Sequence, residues 1–186
     1  MNDLPANLLC YDIEVYPNFF CATFKDVRTG KVRVYRRNSD VNELHAMSKL
    51  LQQGDLCLIG HNTLVYDNIV VRWIIQNPRV KAEDIYRFSK RVFAKDENIP
   101  LELRYPSSKL WKDIDTLAIT RVNTQRVGLK TAGVVTKFHT IKDLPYPPDK
   151  LLTHEQMEEV VRYNLNDVEL TIHLFSVLRN EIDVRI

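Results

Sequence analysis

Apolar and polar residues alternate with a period of two through the first part of the chain, predicting strands over Asn7 to Glu14, Asn18 to Lys25 and Lys31 to Arg37. Thr29-Gly30 supplies turn chemistry between the second and third, so these two are expected to form a hairpin. The period then becomes helical. Val41, Leu44, Met47, Leu50 and Leu51 predict a helix over Val41 to Gln53, capped by Ser39 or Asp40. Gly54-Asp55 ends it, and Leu56 to Gly60 reads as a short buried strand. A second helix runs from Asp67 to Asn77, where Pro78 biases the residue before it away from helical backbone, and a third covers Lys81 to Ala94. Lys95 to Lys109, with Pro100 and Pro106, reads as loop. Leu110 to Ile114 is expected as a fifth strand, and Val127 to Phe138 as a helix beginning near Leu129. Pro145-Tyr-Pro-Pro148 is an extended linker before a last helix from Thr153 to about Ile182, where Thr153-His-Glu-Gln156 resembles a capping box.

Strands and helices that alternate after an antiparallel start predict an α/β three-layer arrangement, a mixed central sheet flanked by helices. No repeat or low-complexity segment divides the chain, so residues 1–186 are expected to form a single domain. With 45% hydrophobic residues that domain can close a sizeable core.

A net charge of +2 gives no sign of the strongly basic stripe that non-specific nucleic-acid binders often carry, and charge alone does not decide the partner. Two local clusters, Arg33 to Arg37 and Arg87, Lys90, Arg91 and Lys95, either track phosphates or form solvated faces. Cys10, Cys21 and Cys57 form no CxxC pair and lie in apolar runs, as small buried hydrophobes in a reducing compartment do. The N-terminus lacks a charged segment followed by an apolar core, and no run approaches the ~18 apolar residues of a membrane span. A soluble, intracellular protein without a membrane partner is expected.

The chemistry concentrates in three distant segments. Asp12 and Glu14 share one face of a strand, with Ile13 turned the other way. Tyr163 and Asp167, four residues apart, share one face of the last helix, and Asp67 opens the second helix beyond the strand Leu56 to Gly60. Four carboxylates offer hard oxygen ligands suited to Mg²⁺ or Mn²⁺, and two such ions can activate a water and stabilise the leaving oxygen of a phosphodiester. Without metal, acids so crowded should show raised pKa values. A tyrosine stays protonated near neutrality, so it orients a water rather than deprotonating one. Competing readings make Asp12 and Glu14 a solvated edge strand, Asp67 a helix-start residue favoured by the macrodipole, and Tyr163 a core aromatic. Asp113-Ile-Asp115 repeats the two-residue spacing, but the residues after it read as a helix capped by Asp115. Of the histidines, His61 lies beside Asn62 and is expected to pack locally; the others lack ligand spacing.

Cys10-Tyr-Asp-Ile-Glu-Val15, Gly60-His-Asn-Thr-Leu-Val-Tyr-Asp67 and Tyr163-Asn-Leu-Asn-Asp-Val168 resemble, in order, the three exonuclease motifs of the DEDD superfamily. The match spans Leu8 to Leu178 and favours the tyrosine-containing branch, because Arg162 stands where the sister branch has histidine. The resemblance implies a ribonuclease-H-like fold and 3′-5′ exonuclease activity. It further implies two Mg²⁺ or Mn²⁺ ions on Asp12, Glu14, Asp67 and Asp167, a water oriented by Tyr163, and an Asn62 that contacts substrate or holds the loop. Val15 departs from the threonine frequent there, altering contact with the terminal nucleotide. Tyr16, Phe19 and Phe20 follow, and one of the three is expected to stack on a base.

The string Tyr11 to Phe20 is also similar to the start of phage-type DNA polymerases, whose proofreading exonuclease precedes the polymerase. That likeness implies single-stranded DNA or frayed 3′ ends as substrate, a polymerase module or replisome protein as partner, and host cytoplasm as location. The chain ends soon after the third motif, as a proofreading domain separate from its polymerase or a free-standing exonuclease would. An RNA-trimming nuclease similar to ribonuclease D would share every catalytic residue. A silent binding module of the same fold is the remaining alternative.

Overall fold

The computed structural model describes residues 5–107, 109–120 and 126–182. Its centre is β1 (Asn7–Tyr16), which runs antiparallel to β2 (Phe19–Asp26); β2 runs antiparallel to β3 (Val32–Arg37). On the other side β1 pairs in parallel with β4 (Leu56–Gly60), and β4 with β5 (Lys112–Asp115). The order β3-β2-β1-β4-β5, with helices on both faces, is the expected mixed-sheet α/β fold. The hairpin turn forms where Thr29-Gly30 indicates it: Asp26 accepts the amides of Arg28 and Thr29, and Gly30 takes a left-handed φ of 72°.

Period-two alternation sends the two faces of β1 into different layers. Leu9, Tyr11 and Ile13 join Phe20, Phe24, Leu58 and the apolar sides of α1 (Leu44–Leu51), α2 (Asp67–Gln76) and α3 (Ala82–Phe93) in the larger core. The opposite face lies under the C-terminal helix α4 (His154–Ile182). There the apolar contacts split in two. Leu8 and Cys10 pack with Val168 and Phe175; Tyr16, Phe19 and Cys21 pack with Met157, Val160 and Val161. The interval between these clusters holds Asp12 and Glu14 on the strand and Tyr163, Asn164 and Asp167 on the helix. The three cysteines are buried and free.

Several local expectations change. Helix α1 begins at Leu44 rather than Val41 because Asn38 accepts the amides of Asp40 and Val41, and Asn42 bridges to Arg37, holding that stretch as a turn. Neither Ser39 nor Asp40 caps it. The segment expected as loop contains a four-residue helix, α5 (Leu101–Arg104), which anchors buried Leu103. Strand β5 starts at Lys112, two residues later than expected, and leads directly into α6 (Thr116–Thr120); α7 (Leu129–Val135) then lies against α4. Among the described residues no helix is long and apolar enough to cross a membrane.

Candidate active site

The central strand, the start of α2 and the middle of α4 each deliver their part of the constellation to one polar window. Asp12 and Glu14 are partly exposed, whereas Asp67, Tyr163 and Asp167 are buried. The turn before Asp67 is shaped by Gly60, where an added Cβ would stand 2.1 Å from Thr63 Cγ2. Asn62 follows in left-handed backbone, with its amide 2.8 Å from Asp115 Oδ1. Asp115 also accepts the amides of Leu64 and Leu117, so it caps α6 as expected and at the same time clamps the Asp67-bearing turn. Asp113 has a separate structural role. It accepts from Trp111 Nε1 and Asn68 Nδ2 and pairs with Arg72, while Asn68 accepts the Tyr11 hydroxyl at 2.6 Å. This buried network fixes the first turn of α2 against β1.

Burial and mutual repulsion dominate the electrostatics. Burial, then the charges of Asp167 and Asp67, push the Glu14 carboxyl up to about 8. Burial raises Asp67 to about 7, with Asp115 adding repulsion and the backbone amides of Asp67 and Ile13 opposing it. Asp12 is raised well above the carboxylate range by burial and by Asp67, Glu14 and Asp167. The Tyr163 phenol is held above its ordinary value by burial, by the charges of Asp167 and Glu14, and by a hydrogen bond to Asp167, so it remains protonated.

Two contributors were not anticipated from sequence. Lys130, in the first turn of α7, ion-pairs with Asp167, and its Nζ lies 4.6 Å from the Tyr163 ring centroid. Its charge lowers both Asp12 and Glu14, opposing their larger upward shifts. Asn164 is fully buried and donates to Asp12 Oδ2 at 2.6 Å, and its own Oδ1 has no hydrogen-bond partner among the described residues. A signal for Asn164 exists in Tyr163-Asn-Leu-Asn-Asp167: asparagines are poor helix formers in mid-helix unless their side chains have work elsewhere. Nothing in sequence distinguishes Lys130 from the other lysines.

Oxygen donors against one ammonium leave the window with excess negative charge, and the orphaned Asn164 Oδ1 adds a neutral oxygen. That donor set suits hard divalent cations. Among the described residues, however, no three Asp, Glu, His or Cys side chains stand ready to enclose an ion.

Glu14 and Asp67 lie on the wall of a cavity of about 1270 Å³, which Val15 and Asn62 also line. Tyr163 borders a second, of about 390 Å³, with Lys142 and Arg162. The base-stacking expectation for Tyr16, Phe19 and Phe20 is corrected. Tyr16 is 1% exposed and donates to the Tyr146 carbonyl, and both phenylalanines are fully buried. Tyr16 follows Glu14 by two residues on the same face of β1, but there the N-terminal half of α4 covers it. His61 packs locally as expected, with Nδ1 2.9 Å from Thr116 Oγ1 and burial lowering its pKa.

The fold is similar to that of a zinc-bound E. coli exonuclease I in complex with single-stranded DNA, at 12% identity and a TM-score of 0.42 over 96% of this chain and 41% of that one. A product-bound exonuclease I is 12% identical with a TM-score of 0.39, over 95% of this chain and 44% of that one. E. coli exonuclease I in complex with a dT13 oligonucleotide is 14% identical with a TM-score of 0.38, over 92% and 40%. This chain therefore spans less than half the length of these proteins. No protein-family model and no curated protein matches it.

Proposed function

We propose that the chain is a metal-dependent 3′-5′ exonuclease of the DEDD tyrosine-containing kind, hydrolysing single-stranded DNA or frayed 3′ ends to nucleoside 5′-monophosphates. What supports this reading is that burial and the neighbouring charges, that of Asp167 among them, push the carboxyls of Asp12, Glu14 and Asp67 upward beside a protonated Tyr163, a crowding of acids that divalent cations would relieve. The four carboxylates would hold two Mg²⁺ or Mn²⁺ ions. When bound, these supply water activation and stabilisation of the leaving oxygen.

The chain's own residues do the positioning. Tyr163, anchored on a helix between two apolar clusters, orients the attacking water by hydrogen bond without taking its proton. Asn164 fixes the rotamer of Asp12. Asn62, set by Asp115, and Val15 line the cavity where the terminal nucleotide would sit. Proofreading alongside a DNA polymerase module in a host cytoplasm is the biological role that fits this chemistry. The test is cleavage of 3′-labelled and 5′-labelled single-stranded DNA, with a matched RNA, in Mn²⁺ or EDTA by wild type and Asp167→Ala. Stepwise loss from the DNA 3′ end that requires both metal and Asp167 supports the reading; preferential RNA cleavage, or none, overturns it.

A further inference from the structure

Beyond the carboxylates, the large cavity continues along α3 and α5. Helix α3 carries two stripes. Ile85, Phe88 and Val92 face the core, whereas Tyr86, Lys90 and Phe93 recur at four- and three-residue spacing on a second face that lines the cavity. Phe93 is 82% exposed, and Tyr105, at the end of α5 on the same cavity wall, is 78% exposed. Neither ring is a core residue left over, since the core stripe of α3 is complete without Phe93.

The cations sort in the same way. On α3, Arg87 pairs with Asp84 and Arg91 with Asp96. Lys90, Lys95 and Lys109, which line the cavity, make no ion pair with any described residue. The basic cluster read from sequence as either phosphate-tracking or solvated thus divides: its arginines are matched locally, and its lysines face the groove. Ammonium groups without a described carboxylate partner, one of them (Lys90) 5.7 Å from the Tyr86 ring centroid, interleaved with exposed aromatic rings suit a polyanion with planar, unpaired faces. A duplex hides those faces in its own stack.

We infer that this groove seats the single strand leading to the scissile end, with Phe93 and Tyr105 as stacking platforms and Lys90, Lys95 and Lys109 along its phosphates. The assignment of that strand as the 5′ side of the scissile bond rests on the nuclease reading. From Tyr86 to Phe93 the stripe rises about 10 Å. At about 3.4 Å per stacked nucleotide, it can accompany roughly three of them.

Two variants test the groove, Phe93→Ala/Tyr105→Ala and Lys90→Gln/Lys95→Gln/Lys109→Gln. All five side chains lie outside the catalytic window, and unchanged melting in both variants confirms folding. Binding of a 5′-fluorescein-labelled dT oligonucleotide is measured in EDTA across a salt series. Turnover of the nitrophenyl ester of thymidine 5′-monophosphate, which occupies only the scissile end, is measured in Mn²⁺. The aromatic variant should weaken oligonucleotide binding about 30-fold or more. The lysine variant should lower the salt slope by about 2. Nitrophenyl-ester turnover should not change in either. Oligonucleotide affinity unaltered by both variants overturns the groove, as does equal loss on the two substrates. Wild type that binds DNA but does not turn over the ester refutes the nuclease reading alone, and the affinities of the variants still decide the groove.

Discussion

Replacing Glu14 with glutamine should stabilise the metal-free protein and abolish its stabilisation by metal. Glu14 rises from an ordinary 4.5 to about 8 in the fold, so the folded chain holds this proton more tightly than the unfolded one does. Stability is then fully present below about pH 4.5 and is lost as pH rises toward about 8. At about 1.4 kcal/mol per unit of pKa, the ceiling on that loss is about 5 kcal/mol. Glu14 is partly solvated, and protonation of one acid relieves its neighbours, so about 2–3 kcal/mol is the expected part. Asp67, raised from 3.8 to about 7, acts in the same direction over a window ending one unit lower. For a chain of this length, 2–3 kcal/mol corresponds to roughly 5–10 °C in Tm. The assay is thermal unfolding in EDTA from pH 5 to 8.5, repeated in Mn²⁺. Wild-type Tm should fall with pH in EDTA and recover in Mn²⁺. Glu14→Gln should melt higher at pH 8, with a flatter profile and little response to Mn²⁺. A wild-type, metal-free Tm that is flat or rising between pH 6 and 8 would refute the electrostatic account of the window.

Tyr163→Phe removes one hydroxyl and keeps the ring, so kcat on the nitrophenyl ester should drop about 10²-fold or more while metal binding measured by calorimetry stays the same. Lys130→Met deletes the ammonium that offsets the carboxylates; Tm in EDTA at pH 8 should fall by an amount equivalent to about 1–3 kcal/mol and be restored by Mn²⁺. Gly60→Ala drives a methyl into Thr63 and should cost about 1–3 kcal/mol in urea unfolding, whereas Gly60→Ala with Thr63→Ser regains part of it.

The strands and the three motifs were legible because both depend on short-range periodicity. Asp12 and Glu14 share a face by the pleat, Tyr163 and Asp167 by the helical turn, and Thr29-Gly30 marks its own hairpin. What failed needed tertiary information or competing local bonds. Asn38 outcompetes the apolar pattern that would start α1 at Val41, and α5 is too short to show periodicity. Tyr16 reads as available for stacking only until α4 is laid over it. Lys130 and Asn164 act across distances of 37 and 152 residues, which no spacing rule encodes. Asp115 was legible as a cap but not as the clamp on Asn62 and Leu64, since a carboxylate's second partner depends on which loop the sheet brings beside it.

The polar window has apolar clusters at both ends, Leu8, Cys10, Val168 and Phe175 on one side and Tyr16, Phe19, Val160 and Val161 on the other. Separating the strand carboxylates from the helix residues therefore means prising open part of the core. Amide hydrogens of β1 and of mid-α4 should therefore be among the last to exchange, at the free energy of global unfolding. Freedom to rearrange is left to the groove walls, where the exposed rings of Phe93 on α3 and Tyr105 on α5 can move without disturbing that frame.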